Sequence, residues 1–292
     1  MTELRDRLRG LIPAVPVPFT GTSLNGTAQS AYANWMATQP IAGVAIWAHT
    51  GRGRHLSGEQ RRIVLETWRE ALPDRVVVAG VHDLTTAIEA RRGHADALLV
   101  YPERNDPLAH HARISRELPV ILFHLYPAAG GVEYDEATLD ALLDLPNVVG
   151  IKVATLDSVM TYQRIAAVVR RHPGKLLITG EDRFLGYSVL MGATSALVGM
   201  GAALTAMQAE LLGAARDERW ADFVALSARC DAFAQATFVE PMEGYIRRML
   251  WAAAAEGAIP DDACDDPWGP ELPEAQRAAV ASAVADARAA RR

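Results

Sequence analysis

Eight short apolar runs, separated by more polar stretches, restrict the fold of this chain more than any other feature. The runs are rich in Val, Ile, Leu and Ala and lack the strict polar alternation of a half-exposed strand. They lie near residues 11–17, 43–48, 76–81, 96–101, 119–125, 148–154, 176–179 and 195–199. This composition is typical of parallel strands that are covered by helices on one face and by a packed interior on the other. We therefore expect eight parallel strands.

The stretches between the runs carry signals for the start of helices. Ser57, Thr85 and Asp135 each precede residues with helical spacing, and all three belong to residue types that cap a helix N-terminus. Repeated βα units form either an open doubly wound sheet or a closed barrel, and no Gly-x-Gly-x-x-Gly sequence follows the first strand. Eight units favour a TIM (β/α)8 barrel, a fold that commonly occupies about 250 residues.

The strand pattern stops after residue 206. Alanine-rich stretches with helical spacing follow at residues 206–215, 220–236, 240–255 and 274–290. The sequence therefore predicts a barrel over residues 1–206 and a C-terminal helical extension, packed on the barrel, over residues 207–292.

The charge and the cysteines restrict the classes of partner. The formal net charge is −6 at pH 7, with acidic and basic residues interspersed. This pattern argues against nucleic acid and against a polybasic membrane contact, and it favours a small-molecule partner. Two cysteines, Cys230 and Cys264, are too few for a disulfide framework and lack the spacing of a metal site, so no bound metal is expected.

Two segments bear on the location of the protein. Residues 1–10 carry charges where a secretory signal needs an apolar core of about 7–15 residues, so we expect a cytoplasmic protein. Residues 184–209 are uncharged and long enough to cross a bilayer of about 30 Å. Glycine and hydroxyl residues nevertheless divide them into a helix, a short strand and the start of another helix, which indicates buried core.

Lys152 is the first candidate for chemistry because it lies near the end of the sixth run. Active sites of α/β barrels lie at the carboxyl ends of the strands. Strand alternation predicts two faces, one of Val148, Gly150, Lys152 and Ala154 and the other of Val149, Ile151 and Val153. If the first face points into the barrel, burial lowers the pKa of the lysine from about 10.4 and provides a neutral nucleophile for a carbonyl carbon. The alternative is an ion-paired lysine at the strand end.

The sequence G-I-K-V-A-T at residues 150–155 resembles the G-I-K-E/D-x-[ST] strand of the dihydrodipicolinate synthase and N-acetylneuraminate lyase family of class I aldolases. Weaker matches occur in the same order as in that family: P-F-T at residues 18–20, A-H-T-G-R at 48–52, residues 119–130, and G-E-D at 180–182. The resemblance covers nearly the whole chain. It implies a lyase without metal or organic cofactor, in which Lys152 forms a Schiff base with pyruvate or another 2-oxo acid.

The loop after the second strand departs from the family pattern G-T-T-G-E. Thr50 and Gly51 keep the second threonine and the glycine, and the resemblance implies that they bind the substrate carboxylate. His49 replaces the first threonine and is either a new acid/base group or a neutral hydrogen-bonding substitute. Arg52 and Arg54 suggest a substrate with a carboxylate or phosphate group, although arginines on loops are more often solvated.

The end of the fifth strand departs further, because the family pattern there is Y-N-V-P. A gap-free alignment places Phe123 at the tyrosine that relays protons and His124 at the asparagine. Phenylalanine cannot transfer a proton, so either another group relays it or the reaction does not need that step. Tyr126 and His124 are the nearby candidates for this relay, Tyr126 if the strand end carries a bulge or a one-residue shift. We predict Tyr126 as the catalytic residue and Phe123 and His124 as substrate contacts. As alternatives, Tyr126 only ends the strand and His124 packs outside the barrel against a helix.

Two losses argue against dihydrodipicolinate synthase itself. Ala128 aligns with the arginine that binds a second carboxylate in those enzymes, and the loop after the fourth strand is shortened to residues 103–106. Gly180 and Glu181, after the seventh strand, are predicted to contact substrate. For Glu181, and for Asp182 beside it, capping of the next helix is the alternative.

Two functions from different classes are compatible with these residues. The first is a Schiff-base lyase, either an aldolase or a dehydratase, that acts on pyruvate or another 2-oxo acid and, in an aldol reaction, on an aldehyde. The second is a 2-oxo-acid-binding protein on the same barrel that has lost turnover, which Phe123 motivates. The resemblance implies a homo-tetramer or homo-dimer, but the short loop at residues 103–106 removes a usual contact between subunits.

Overall fold

The computed structural model of the chain describes residues 2–289. The strands are β1 (Gly10–Leu11), β2 (Phe19–Thr20), β3 (Ser23–Leu24), β4 (Gly43–Ile46), β5 (Val76–Val81), β6 (Ala97–Val100), β7 (Val120–Leu125), β8 (Val148–Ala154), β9 (Leu176–Thr179) and β10 (Ser195–Ala196). Eight of them form one parallel sheet in the order β1-β10-β9-β8-β7-β6-β5-β4, and β2 and β3 form an antiparallel hairpin.

The two edges of the eight-stranded sheet meet beside β1. The backbone N–H of Val15 donates to the Ala45 carbonyl (3.1 Å), and the N–H of Ala45 donates to the Pro13 carbonyl (2.8 Å). The sheet therefore closes on itself, and the prediction of a TIM (β/α)8 barrel with a C-terminal helical extension is confirmed.

Helices alternate with the barrel strands and then follow them. They are α1 (Thr2–Arg7), α2 (Gly26–Ala37), α3 (Gly58–Ala71), α4 (Leu84–Arg92), α5 (Pro107–Ile114), α6 (Glu136–Leu143), α7 (Val159–Arg170), α8 (Leu185–Leu190), α9 (Thr205–Arg216), α10 (Trp220–Thr237), α11 (Tyr245–Ala255) and α12 (Glu274–Ala289). The helix predicted over residues 274–290 begins as expected, and residue 290 lies outside the described residues.

Two of the three predicted helix caps are confirmed, namely Ser57 at α3 and Asp135 at α6. The third prediction is wrong, because Asp83 caps α4 and Thr85 lies inside that helix. Asp83 has an extended backbone, and its carboxylate accepts the N–H of Thr86 at 2.8 Å. An N-cap residue needs this non-helical conformation, which Thr85 does not have.

The barrel strands separate two apolar cores. Inside the barrel the core includes Ile12, Ala45, Val78, Leu99, Phe123 and Ile178. Between strands and helices it includes Val44, Val77, Leu98, Leu122, Ile151 and Leu177. Both faces of each strand are therefore buried, which explains why the apolar runs lack polar alternation.

A register shift between β7 and β8 changes which residues of β8 face inward. Val120 pairs with Val148, but the next residue, Ile121, pairs with Gly150, so that Val149 is an extra residue on β8. Val149 packs in the interior core and Val148 in the outer core, so the predicted faces of these two residues are wrong. A bulge shifts the alternation by one residue. From residue 150 onward the predicted alternation agrees with the pairing.

Residues 184–209 follow the predicted pattern of helix, short strand and helix start, as α8, β10 and the beginning of α9. Within residues 2–289, no helix has both the length and the apolar character needed to cross a membrane.

The C-terminal helices pack on one another and on the barrel, with α10 against α9 and α12. Arg248 of α11 is fully buried. Its guanidinium donates to the carbonyls of Thr237 (3.2 Å), Val239 (2.8 Å) and Pro241 (3.4 Å). These bonds stabilise the segment between α10 and α11. A domain boundary between residues 206 and 207 stays a prediction.

The cap of α3 provides a test of local stability. The Ser57 hydroxyl accepts the N–H of Gln60 (3.2 Å), and the Gln60 side chain accepts the N–H of Ser57 (2.9 Å). We expect Ser57→Ala to lower the free energy of unfolding by about 1 kcal/mol, because it leaves a helix N–H without its acceptor. Urea denaturation followed by far-UV circular dichroism measures the change. Ser57→Thr keeps the acceptor and is the control; equal midpoints for all three proteins would contradict the role of the cap.

Candidate active site

A pocket lies at the carboxyl ends of the barrel strands. The barrel contributes His49, Thr50, Phe123, Leu125, Tyr126, Lys152, Ala154, Gly180, Glu181, Asp182 and Gly199 to its wall. The C-terminal region contributes Phe238, Met242 and Tyr245. Barrels of this kind bind their substrates at this end, so the pocket is the candidate active site.

Lys152 lies in the wall of this pocket and is only 5% exposed. It pairs with Phe123 on β7 and Ile178 on β9, and its Nζ lies 4.3 Å from the centroid of the Phe123 ring. Burial lowers the pKa of Lys152 to about 8, against the opposing attraction of Asp182 and Glu181. About a tenth of the amine is therefore uncharged at pH 7 and available as a nucleophile.

Gly180 provides the space that the lysine side chain occupies. A Cβ atom at position 180 would lie 2.5 Å from Cε of Lys152 and 3.0 Å from Cβ of Ala154. Only glycine lets the end of β9 approach the lysine so closely.

Two carboxyl groups follow β9 at the pocket. Glu181 is 1% exposed and accepts the backbone N–H groups of Thr155 (2.6 Å) and Leu156 (3.2 Å). Asp182 accepts the N–H of Met200 at 2.7 Å. Burial raises the pKa of Glu181 to about 8 and that of Asp182 to about 7, the latter against the opposing charge of Lys152. Both carboxyls thus bind backbone groups of the surrounding turns, and both change charge near neutral pH.

Glu243 joins two predicted site residues from the C-terminal region. Its Oε1 lies 3.0 Å from Nε2 of His49 and accepts the Tyr126 hydroxyl at 3.2 Å, while its Oε2 accepts Nη1 of Arg52 at 3.0 Å. Partial burial acts to raise the pKa of Glu243, but His49 and Arg52 outweigh it and lower the pKa to about 2. Glu243 is therefore ionised, and it accepts a hydrogen bond from the Tyr126 hydroxyl.

Thr50 and Tyr245 form a second polar contact in the pocket wall. The Thr50 Oγ1 lies 3.0 Å from the Tyr245 hydroxyl, and either oxygen can be the donor. Thr50 is 3% and Tyr245 is 6% exposed. The ring of Tyr245 stacks on Phe238, with centroids 4.8 Å apart. Packing therefore fixes the position of the Tyr245 hydroxyl relative to Thr50.

Arg52 is buried in an ion-pair network rather than free to bind a substrate anion. Its guanidinium donates twice to Asp266 (3.1 and 2.7 Å) as well as to Glu243. The expectation that Arg52 binds a substrate carboxylate or phosphate is therefore not supported. Arg54 is exposed, and its guanidinium carbon lies 5.7 Å from the centroid of the Tyr101 ring.

Gly51 and His124 do not line the pocket, unlike the other predicted site residues. A Cβ at Gly51 would lie 2.9 Å from the carbonyl oxygen of Val15, so this glycine packs against the barrel backbone. His124 is 3% exposed, and burial, assisted by Arg164, lowers its pKa to about 4. Among residues 2–289, no group of three or more His, Cys, Asp or Glu could hold a metal ion.

The sequence interpretation missed Glu243, Tyr245 and Phe238. All three lie where the sequence reads F-V-E-P-M-E-G-Y, at residues 238–245. Residues 240–244 were predicted to be helical together with residues 245–255, but α11 begins only at Tyr245. The segment 238–245 contains two aromatic residues, two acids and a proline. That change in composition was the available signal for a loop with a role of its own.

Comparison with known proteins places the chain in a family. A profile of the Dihydrodipicolinate synthetase family matches residues 7–287. The 4-hydroxy-tetrahydrodipicolinate synthase of Rhizorhabdus wittichii is 28% identical over 296 residues, which cover 95% of this chain and 98% of the relative.

Two solved structures share the fold at low sequence identity. YagE of E. coli K12, a prophage protein of the dihydrodipicolinic acid synthase family in complex with pyruvate, has a TM-score of 0.86 at 20% identity, with 96% of this chain and 98% of YagE covered. A catalytic lysine mutant of the Ruminococcus gnavus sialic acid aldolase has a TM-score of 0.85 at 16% identity, with 98% of each chain covered. Because the family profile spans almost every described residue, the resemblance is confirmed: the chain belongs to the dihydrodipicolinate synthetase family of Schiff-base aldolases and lyases.

Proposed function

We propose that this protein is a Schiff-base-forming lyase that acts on pyruvate or another 2-oxo acid, with Lys152 as the nucleophile. The observation that carries the proposal is the buried amine of Lys152, whose pKa burial lowers to about 8, in the wall of the pocket at the carboxyl ends of the strands. The pyruvate complex of YagE and the catalytic lysine of the Ruminococcus gnavus aldolase support the same chemistry.

The pocket residues have different roles in the proposed reaction. The neutral amine attacks the ketone carbon, and loss of water yields an iminium that withdraws electrons from the neighbouring carbon. The backbone N–H of Thr50 and adjacent backbone N–H groups hold the substrate carboxylate. The negative charge of ionised Asp182, which already interacts with Lys152, stabilises the cationic iminium. Both aldol chemistry and dehydration proceed from this intermediate.

The substrate differs from that of dihydrodipicolinate synthase in this proposal. Ala128, at the position expected for a carboxylate-binding arginine, is exposed in a short 3-10 helix over residues 127–129. A methyl side chain offers no charge to a second carboxylate. We propose a homo-oligomeric, cytoplasmic enzyme that needs no cofactor besides the lysine.

A 2-oxo-acid-binding protein without turnover is the second candidate, since Phe123 places an apolar ring beside the amine. The two candidates differ in kinetics. A lyase turns over at least one substrate in a panel of 2-oxo acids and aldehydes, whereas the binder forms an adduct on Lys152 and releases no product.

Reductive trapping tests the covalent step, and the sequence makes the result unambiguous because the chain contains only two lysines, Lys152 and Lys175. With pyruvate and sodium borohydride we expect a mass gain equal to pyruvic acid less one oxygen atom, located on Lys152 by peptide mapping. Lys152→Arg should abolish the adduct. The matched control is Lys175→Arg, because Lys175 donates to the backbone carbonyls of Leu145 and Val148 outside the pocket. An unmodified Lys152 with every 2-oxo acid tried would refute the covalent mechanism.

The pH dependence of trapping follows from the lowered pKa of Lys152. Only the neutral amine attacks, so the initial rate should rise about tenfold per pH unit below pH 8 and level off above it. Adduct formed at set times before a borohydride quench gives the rate at each pH. Nα-acetyl-lysine is the control, with a rate that keeps rising towards a pKa of about 10.4. A protein rate that parallels this control would show that the amine is not desolvated.

Gly180→Ala tests the space around the lysine. The new Cβ would lie 2.5 Å from Cε of Lys152 and displace the side chain, so we expect adduct formation to slow by at least about tenfold. Gly26→Ala is the matched control, because a Cβ there meets no atom within 4 Å. Equal rates in the Gly180→Ala and Gly26→Ala proteins would mean that Lys152 does not need its present position.

A further inference from the structure

Formation of an imine at Lys152 needs groups that move protons. The ketone oxygen must gain two protons to leave as water, and the amine must lose one. Phe123, which lies nearest to the Nζ atom along β7, has no exchangeable proton. Another polar group in the pocket wall must therefore carry these protons.

Tyr126 is poorly suited to this task in the observed arrangement. Its hydroxyl donates to Oε1 of Glu243, the same oxygen that lies 3.0 Å from Nε2 of His49. Glu243 is ionised, and Arg52 binds its other oxygen. Transfer of the Tyr126 proton to substrate would leave a phenolate beside the Glu243 carboxylate in place of the hydrogen bond between them. Loss of that hydrogen bond costs free energy.

The carboxyl groups of Glu181 and Asp182, which follow β9, already accept other hydrogen bonds. Glu181 accepts two backbone N–H groups, and Asp182 accepts one. Glu181 is bound through both oxygens at the turn after β8, and Asp182 is bound through Oδ1 at the turn after β10.

The hydroxyl of Tyr245 lies beside another hydroxyl group, whereas that of Tyr126 lies beside a carboxylate. Its hydroxyl lies 3.0 Å from Oγ1 of Thr50, and a hydroxyl can both donate and accept. Either oxygen can therefore pass a proton to the other. Both residues line the pocket that holds Lys152, and the stacking of Tyr245 on Phe238 keeps the two hydroxyls together.

We propose that Tyr245 is a catalytic residue, which together with the Thr50 hydroxyl transfers the protons of Schiff-base formation; this inference rests on the proposed function. In the first step the lone pair of Nζ forms the C–N bond, the carbonyl π electrons move to oxygen, and the hydroxyl pair moves one N–H proton to that oxygen. In the second step the phenol protonates the resulting hydroxyl, the C–O bond breaks, water leaves, and the nitrogen lone pair forms the C=N bond. The iminium keeps one N–H, and the phenolate regains its proton from solvent.

The surroundings of Tyr245 suit this cycle. Burial raises the pKa of its phenol, helped by Tyr126, so the group starts each cycle as a proton donor at neutral pH. The phenolate forms only when the cationic iminium forms in the same pocket, and the two opposite charges stabilise each other. The C-terminal helical region thus supplies a phenol that β7 lacks.

Tyr245→Phe removes the hydroxyl and keeps the ring that stacks on Phe238. We expect the rate of borohydride-trapped adduct formation with pyruvate to fall by about 10²-fold or more, the range typical of general acid–base catalysis. The adduct should still accumulate on Lys152 after long incubation, because a catalyst changes the rate of imine formation and not its equilibrium.

Tyr162→Phe is the matched control, since Tyr162 is a buried phenol outside the pocket and its hydroxyl lies 3.5 Å from the Ser188 carbonyl. We expect this variant to keep the wild-type rate. Circular dichroism and thermal unfolding establish that each variant is folded.

A double-mutant cycle separates a relay from two independent effects. Thr50→Val should slow trapping as Tyr245→Phe does, and Thr50→Ser, which keeps the hydroxyl, should restore most of the rate. The double variant Thr50→Val/Tyr245→Phe should be no slower than the slower single variant, because residues that act as one unit are not additive. If Tyr245→Phe fails to fold, the comparison of Thr50→Val with Thr50→Ser tests the hydroxyl pair by itself.

Three results would overturn the relay. They are an unchanged rate in Tyr245→Phe, a larger loss in Tyr126→Phe than in Tyr245→Phe, and full additivity in the double variant. Each of these presupposes an adduct in the wild-type protein. If the wild-type protein forms no adduct, the proposed function itself fails, so the two failures are distinguishable.

Discussion

Hydrogen bonds from the Arg52 guanidinium join the barrel residues of the candidate site to the C-terminal region. Arg52 lies in the loop after β4, is 7% exposed, and binds Asp266 through two nitrogens and Glu243 through a third. A buried charge is tolerated only when it is paired, so loss of Arg52 would leave the buried Asp266 carboxylate uncompensated at a cost of about 3–5 kcal/mol. These ion pairs thus hold the C-terminal region against the carboxyl ends of the barrel strands, where Glu243 contacts His49.

The pocket combines groups whose pKa values are shifted in opposite directions by the same cause. Burial lowers the pKa of Lys152 to about 8 and raises those of Glu181 and Asp182 to about 8 and 7. Each shift reduces the charge that must be held in a low-dielectric site. A neutral amine and neutral carboxyls can therefore coexist there, and formation of a cationic iminium would favour ionisation of the carboxyls. Groups with such shifted pKa values cluster at functional sites.

The sequence predicted the features that repeat along the chain and missed those that depend on distant contacts. The βα period indicated eight strands, and alternation from residue 150 onward placed Lys152 on the interior face. The faces of Val148 and Val149 were wrong because the bulge arises from pairing with β7, which β8 alone does not encode. Tyr245 reaches the pocket, and Glu243 reaches His49 and Tyr126, because tertiary packing brings the residues around the start of α11 to the carboxyl ends of the barrel strands. Helical periodicity carries no information about such packing.

Phe123 suggests a loss of turnover in the sequence, but the structure weakens this argument. Aligned with a family pattern, it removes the phenol from β7 beside the lysine. In three dimensions a different phenol, that of Tyr245, reaches the same pocket from α11 and pairs with Thr50. The ring of Phe123 remains beside the amine, with its centroid 4.3 Å from Nζ of Lys152. Loss of a proton carrier from β7 is thus compatible with turnover, because another element places a phenol in the same pocket.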